Sequence, residues 1–205
     1  MRFGALIPQG WRMDLVGIDI EDHWETMLGV AGALGESGFD SVWVNDHFHT
    51  VPKPTQEVTY EAWTLMASLA AATNGVRLGQ MCTAVGYRNP ALLAKIAASV
   101  DVISGGRVEM GIGAGWYEHE YVGYGYPFPS AGERIGQLEE SIQIMRAMWS
   151  EESVDFDGDH FRLQGAICSP KGLQDRIPIW VAGGGERKTL SVAARYADYT
   201  NFGLT

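Results

Sequence analysis

The chain has 205 residues, of which 46% are hydrophobic and 20% are charged, which is enough apolar material for one sizeable core and too little charge for a disordered chain. The formal net charge is -10 and Lys or Arg residues form no basic run, so nucleic acid and anionic membranes are poor candidate partners. There is no signal-peptide pattern, no run of ~18 apolar residues and no disulfide framework, so we expect a soluble cytoplasmic protein.

Short β-favouring runs alternate along the chain with longer segments of helical period. From the N-terminus, we predict strands at residues 3–7, 41–44, 76–84, 107–112, 177–182 and 200–204, and helices at residues 22–36, 60–73, 91–104, 131–150 and 188–196. The third helix follows the pair Asn89-Pro90 and stops at Gly105-Gly106, residues that suit a helix start and a helix end.

Two segments interrupt this alternation. The sequence VDFDGDHFRLQG, within residues 153–165, has two alternating runs about a D-G pair and predicts a β-hairpin. Residues 116–128 hold six aromatic side chains and are predicted as a loop. That loop could wall a pocket or simply pack between helices and sheet.

Strands joined by helices predict parallel pairing through right-handed crossovers. Two α/β architectures fit one domain at residues 1–205: an open doubly wound sheet, or a TIM (β/α)8 barrel. A full barrel needs ~250 residues, whereas this chain supplies six strands besides the hairpin. The chain is therefore either an open sheet or an incomplete barrel.

Asp46, His47 and His49 follow the second predicted strand, at the edge of a parallel sheet where ligands bind. They could cap the loop, and His47 with His49 has the spacing of a strand-end metal pair, although no other histidine follows a strand, so we predict no metal. A third interpretation is acid-base chemistry by an imidazole whose tautomer is set by a nearby carboxylate.

Glycines follow two later strands. GIGAG, which contains Gly113, Ala114 and Gly115, is either a tight turn or a surface on which a flat ring can lie. AGGGE, with Gly183, Gly184 and Gly185, joins a strand to a helix and is either a bare turn or an anion site suited to phosphate. Cys82 and Thr83, in the third strand, suggest buried core.

The strings IPQGW, WVNDHFHTV, LGQMCTAVGYRNPALLAK, ISGGRVEMGIGAGWYEHEY, FDGDHF and IPIWVAGGGERKTL occur in this order. Together they resemble the luciferase-like monooxygenase superfamily, and within it the branch that uses the deazaflavin coenzyme F420. The resemblance covers essentially the whole chain. It implies a (β/α)8 barrel of which this chain holds strands 1 to 6, with the hairpin as an insertion.

The resemblance also implies roles for particular residues. Asp46 and His47 would lie beside the reactive ring, with Glu118 as a second acid. Met81, Cys82 and Thr83 would form a bulge behind the ring, often with a non-prolyl cis peptide. Residues 113–115 would line the ring, and Gly183, Gly184 and Gly185 would hold the cofactor phosphate.

The expected function is hydride transfer between coenzyme F420 and a small organic substrate. The family also contains FMN-dependent monooxygenases, which share the scaffold and the phosphate site, so FMN is the alternative cofactor. A further alternative is a non-catalytic, truncated cofactor-binding fragment. The resemblance implies a homodimer.

Overall fold

The alternation of strands and helices is present in the computed structural model, which describes residues 1–201. The helices are α1 (His23–Glu36), α2 (Ala62–Ala72), α3 (Pro90–Ser104), α4 (Glu118–Gly123), α5 (Ala131–Ser150) and α6 (Thr189–Tyr196). The strands are β1 (Gly4–Leu6), β2 (Ser41–Val44), β3 (Arg77–Gln80), β4 (Thr83–Ala84), β5 (Val108–Gly113), β6 (Val154–Asp157), β7 (Arg162–Ala166), β8 (Ile179–Ala182) and β9 (Tyr199–Asn201).

Seven strands form one parallel sheet in the order β1-β2-β3-β5-β8-β9, with β4 also paired to β5. The remaining two, β6 and β7, form an antiparallel hairpin, as predicted. Because the chain returns through a helix before most new strands, the polar segments that follow the strands gather at one edge of the sheet. The sheet curls into half of a barrel, which confirms the incomplete-barrel prediction and excludes the open doubly wound sheet.

Three local predictions differ from the structure. The predicted third strand is two strands, β3 and β4, separated by Met81 and Cys82, which are joined by a cis peptide bond. The predicted aromatic loop contains the helix α4, since Tyr121 on that helix is fully buried in a cluster with Tyr87 and Ala84. The last strand begins at Tyr199, one residue earlier than predicted, and its predicted part at 202–204 lies outside the described residues.

Local sequence explains the helix boundaries. The side chain of Asn89 accepts from the amides of Ala91 and Leu92 at the start of α3, and Gly105 ends that helix in the left-handed conformation at φ 72°. At the start of α5, Ser130 and Glu133 form a reciprocal capping box. These caps satisfy backbone groups that a helix end leaves free. The helix α5 begins at the predicted residue, and α3 begins at Pro90, one residue before the predicted start.

The outer face of the sheet packs against the apolar faces of the helices. Leu78, Val108, Met110, Ile112 and Val181 are buried there with the inner sides of α2, α3 and α5. Burying these aliphatic side chains supplies the main stabilisation of the fold, roughly 1.5–3 kcal/mol for each large one.

The inner face of the sheet requires glycine at two positions. A Cβ atom on Gly79 would lie 2.3 Å from the ring of Trp43, and one on Gly111 would lie 1.7 Å from the carbonyl oxygen of Gln80. The first neighbour is a side chain, but the second is backbone and has no room to move. Gly111 therefore allows β5 to approach the turn between β3 and β4.

The two outer strands, β1 and β9, each pair with one neighbour. Both are largely exposed, and Leu6 and Tyr199 present half-exposed apolar side chains at these edges. In the described part of the chain, no helix is both long and apolar enough to cross a membrane.

We expect Gly111→Ala to destabilise the fold by about 1–3 kcal/mol or more, because the added methyl group overlaps a backbone carbonyl. Urea unfolding would measure the change. Gly32→Ala is the matched control: Gly32 lies in α1 with open space around it, so alanine should stabilise the helix by up to about 1 kcal/mol. Equal unfolding midpoints for Gly111→Ala and the wild type would contradict the close approach.

Candidate active site

A cavity of about 600 Å³ lies at the carboxyl edge of the sheet. Asp46 and His47 line it from the end of β2, and Met81 and Cys82 line it from the turn before β4. Residues 113–115 and Gly183 line it from the ends of β5 and β8. The cavity therefore brings together residues that the sequence placed after three predicted strands and within a fourth.

His47 is buried among aromatic rings at one end of the cavity. Its imidazole stacks on Trp11, with ring centroids 5.0 Å apart and planes at 15°, and it meets the edges of Trp116 and Tyr117 with centroids at 6.0 Å. Its Nδ1 lies 3.0 Å from Oε2 of Glu120. Because Nδ1 is engaged, Nε2 is the ring nitrogen left for a molecule in the cavity.

Glu120 is fully buried and is the carboxylate that orients His47. Its Oε2 also accepts from the hydroxyl of Tyr87 at 2.8 Å, and its Oε1 accepts from the amide of Phe48 at 2.8 Å. Burial alone would raise the pKa of Glu120, but the hydrogen bonds from His47, Phe48 and Tyr87 lower it below the usual 4.5. The carboxylate is therefore ionised at neutral pH and holds His47 with its Nδ1 as donor.

Glu118, the second acid that the sequence suggested, is exposed on the first turn of α4 and does not line the cavity. The acid that reaches His47 is two residues further on. A helix places residues two positions apart on different faces, so the formation of α4 turns Glu120 inward and Glu118 outward. Sequence reasoning missed Glu120 because it treated this segment as a loop.

Asp46 is buried behind His47 and is paired with Arg88. The guanidinium donates to both carboxylate oxygens at 2.7 and 3.0 Å, and the amide of Ala84 donates at 2.9 Å. Burial raises the pKa of Asp46, while the charge of Arg88 acts in the opposite direction. Asp46 thus links β2 to β4 and to Arg88 in the segment before α3, beside the cavity floor.

Trp11, which the sequence analysis did not select, is held in place by two buried amides. The side chain of Gln9 donates to the backbone carbonyls of Asn45 and Tyr60 at 2.7 and 2.8 Å, and it accepts from the backbone amide of Asn45 at 2.8 Å. The side-chain amide of Asn45 is oriented so that both its atoms are bonded. Its oxygen accepts from Trp11 Nε1 at 3.1 Å, and its nitrogen donates to the Met81 carbonyl. These contacts fix the indole against His47.

The floor of the cavity is the turn between β3 and β4. The cis peptide joins Met81 to Cys82, within the three residues where the resemblance placed it. A Cβ atom on Gly113 would lie 2.7 Å from the sulfur of Cys82, so glycine keeps this floor flat. Burial raises the pKa of the Cys82 thiol to about 12. Thr83 is fully buried below the floor, where it donates to Gln80.

The opposite end of the cavity, beyond β8, has the features of an anion site. Gly183 (φ 126°) lines the cavity with Thr189, the first residue of α6, while Gly184 and Gly185 are exposed in the same turn. The turn spans three more residues before α6 begins, rather than leading directly into the helix as predicted. Backbone amides and a helix N-terminus there favour negative charge.

Arg134 of α5 faces this end of the cavity and was not selected from the sequence. Its guanidinium lies 3.9 Å over the ring of Phe128, and one nitrogen donates to the carbonyl of Pro129. Its Nε is buried and has no hydrogen-bond partner within residues 1–201. A buried donor without a partner is costly, so an anion bound here would complete it.

The aromatic segment serves both purposes considered from the sequence. Trp116 and Tyr117 line the cavity, whereas Tyr121, Tyr126 and Phe128 pack in the separate cluster with Tyr87. The described residues include no group of three or more His, Cys, Asp or Glu side chains able to hold a metal ion.

A curled parallel sheet with a glycine-lined cavity at its carboxyl edge is typical of enzymes built on (β/α) barrels. The chain belongs to the luciferase-like monooxygenase family, whose model matches residues 1–204. This confirms the family inferred from the sequence motifs.

Individual proteins show the same similarity. The chain is 35% identical over 165 residues to an F420-dependent glucose-6-phosphate dehydrogenase of Amycolatopsis mediterranei (strain U-32), which covers 79% of this chain and 47% of that protein. It resembles the structure of an F420-dependent secondary alcohol dehydrogenase in complex with an F420-acetone adduct (TM-score 0.83, 27% identity, 98% of this chain and 57% of that one).

A monooxygenase, RslO1 from Streptomyces bottropensis, is also similar (TM-score 0.78, 27% identity, 95% of this chain and 57% of that one). The chain thus spans about half the length of the relatives and structures it matches.

We expect Glu120→Gln to destabilise the protein by roughly 1–3 kcal/mol at neutral pH, because it removes a buried charged acceptor. A carboxyl whose pKa is lower in the folded protein stabilises the fold above its unfolded pKa, and this contribution is lost as the pH falls through the folded value. The difference between wild type and variant should therefore shrink as the pH falls below 4.5.

Urea unfolding at a series of pH values measures this difference. Glu118→Gln is the control on the same helix, and because Glu118 is exposed it should change stability by less than about 0.5 kcal/mol. A gap between wild type and Glu120→Gln that stays constant down to acid pH would contradict the buried, ionised carboxylate.

Proposed function

We propose that this protein is an oxidoreductase that uses coenzyme F420 to transfer hydride to or from a small organic substrate. Two similar proteins are named as F420-dependent dehydrogenases, one for glucose 6-phosphate and one for secondary alcohols. By analogy, the substrate pair is an alcohol and its carbonyl compound. One observation carries the proposal: a single cavity joins the His47–Glu120 pair to the glycine floor and the Arg134 anion site.

The cavity residues fit a flat, phosphate-bearing cofactor. Gly113 and the Met81–Cys82 turn form the floor, and position 113 requires glycine because a Cβ there would lie 2.7 Å from the thiol of Cys82. The turn at 183–185 and the buried Nε of Arg134 provide donors for a phosphate. When bound, the cofactor supplies a ring carbon that accepts or gives the hydride.

The residues of the chain supply proton transfer and orientation. Glu120 accepts a hydrogen bond from His47 Nδ1. The other ring nitrogen, Nε2, is therefore free to exchange a proton with the substrate oxygen. Glu120 also fixes the orientation of the imidazole, because its carboxylate is fully buried beside the ring and cannot move away. Asp46 acts through position: with Arg88 it ties β2 to the floor turn. Trp11, Trp116 and Tyr117 exclude water around His47.

The alternative within the family is an FMN-dependent monooxygenase, since the phosphate end of the cavity suits either cofactor. Titration of the purified protein with F420 and with FMN, followed by tryptophan fluorescence, separates the two: Trp11 and Trp116 line the cavity. Binding of FMN alone would overturn the F420 proposal, and binding of neither would favour a non-catalytic fragment. A homodimer and a cytoplasmic location complete the proposal.

We expect His47→Asn to lower kcat by about 10²- to 10⁴-fold, the usual contribution of a positioned acid or base. The Kd for F420 should stay within about threefold, because the loss lies in the transition state rather than in binding. Loss of the visible absorbance of F420 with glucose 6-phosphate and with 2-propanol measures turnover. His160→Asn, a change in the exposed hairpin, is the control. Unchanged kcat in His47→Asn would remove His47 from the mechanism.

We expect Arg134→Gln to weaken binding of F420 by about tenfold or more, because it removes a charge-assisted hydrogen bond. Binding of the deazaflavin ring without its phosphate tail should not change, which isolates the phosphate contact. Fluorescence titration of both ligands measures the effect. Arg162→Gln, on the exposed hairpin, is the control. An equal loss of affinity for both ligands would show that Arg134 acts on the ring or on the fold instead.

A further inference from the structure

A pair of histidines contacts Tyr117, which lines the cavity, and has no role in the proposed function. Nε2 of His49, in the loop after β2, is 3.2 Å from Nδ1 of His119 on α4. The two rings are nearly perpendicular, at 83°, with centroids 5.0 Å apart. From these contacts we propose that His49 and His119 form a binding site for a divalent transition-metal ion such as Zn²⁺.

The distance between the two nitrogens suits a shared metal ion. Zinc binds imidazole nitrogen at 2.0–2.1 Å, so two ligands of a tetrahedral site stand ~3.3 Å apart. The observed separation is 3.2 Å, so the two nitrogens already stand at the spacing that a shared ion requires. Without metal, the same two nitrogens share one hydrogen bond. His119 is exposed, so solvent can exchange its proton to Nε2 and free Nδ1 for the ion.

The surroundings of His49 match those of a metal ligand. Metal-binding histidines usually direct the other ring nitrogen to a carbonyl or carboxylate, which fixes the tautomer. Nδ1 of His49 lies 3.3 Å from the carbonyl of Thr50 and 3.7 Å from Oε1 of Glu120. Both neighbours favour hydrogen on Nδ1 and a free electron pair on Nε2. His119 is oriented by Tyr117, whose ring stacks on it at 5.9 Å.

The site has two protein ligands. No third His, Cys, Asp or Glu joins them to form a larger group in the described residues, so water completes the coordination, as in open sites. The ion connects the loop after β2 to α4, two segments that meet otherwise at Glu120. Metal binding therefore stabilises the contact between this loop and α4, and it raises the melting temperature of the protein.

The test is calorimetric titration of protein without a polyhistidine tag with zinc chloride, followed by thermal unfolding with and without zinc. We expect one saturable site and a higher Tm in zinc. His119→Asn and His49→Asn should each weaken binding at least about tenfold and abolish the Tm shift. His160→Asn, in the exposed hairpin, should behave as the wild type.

His119 is exposed, so its substitution leaves the fold intact, and circular dichroism of each variant without metal verifies this. Electron paramagnetic resonance with Cu²⁺ gives an independent readout, with coupling to two nitrogens expected in the wild type and to one in His119→Asn. Absence of saturable zinc binding, binding that survives both substitutions, or binding lost only in His160→Asn would each overturn the proposal. Because the probe is a metal and the readouts are binding and stability, failure of the F420 proposal would not affect the result.

Discussion

The buried carboxylate of Glu120 is the contact on which the candidate active site depends. It accepts hydrogen bonds from His47, Tyr87 and two consecutive backbone amides of the loop after β2. These donors belong to segments far apart in sequence, and α4 delivers the acceptor to all of them. A fully buried carboxylate would be costly without such partners. The four donors therefore keep Glu120 ionised and place His47 at a fixed distance from the cavity floor.

The two ends of the cavity are built by different physical means. At the His47 end, aromatic rings and one buried charge orient an imidazole. The far end favours negative charge, because backbone amides of glycine, the start of α6 and Arg134 lie there. Between them, the absence of side chains at Gly113 leaves a flat surface. An elongated ligand with a planar ring and an anionic tail matches this order of features.

Much of the fold follows from local sequence. The bounds predicted for the fourth helix, 131–150, agree with α5, because Ser130 and Glu133 form a capping box and Glu151 already has extended backbone. The alternation of apolar strands and amphipathic helices predicted a parallel sheet, and strand ends identified part of the cavity lining, including His47 and Gly113. Such signals are local, so they can be detected without tertiary structure.

Other site residues could not be found in this way. The choice between Glu118 and Glu120 depends on which face of α4 is turned toward the cavity. That helix packs through Tyr121 against Tyr87, which lies 34 residues earlier in the sequence. The positions of Trp11 and Arg134 also depend on tertiary contacts. Gln9 anchors the segment that holds Trp11, and the ring of Phe128 packs under the guanidinium of Arg134. A single sequence contains no local signal for such long-range contacts.

The sulfur beneath the cavity floor has a chemical consequence. Since burial keeps Cys82 protonated far above neutral pH, with a pKa of about 12, it offers almost no thiolate to peroxide, alkylating reagents or disulfides. A planar group resting against it would meet a soft, polarisable sulfur that is a poor nucleophile. Thiol-directed reagents should therefore react slowly with this position in the native protein, although it lines the cavity.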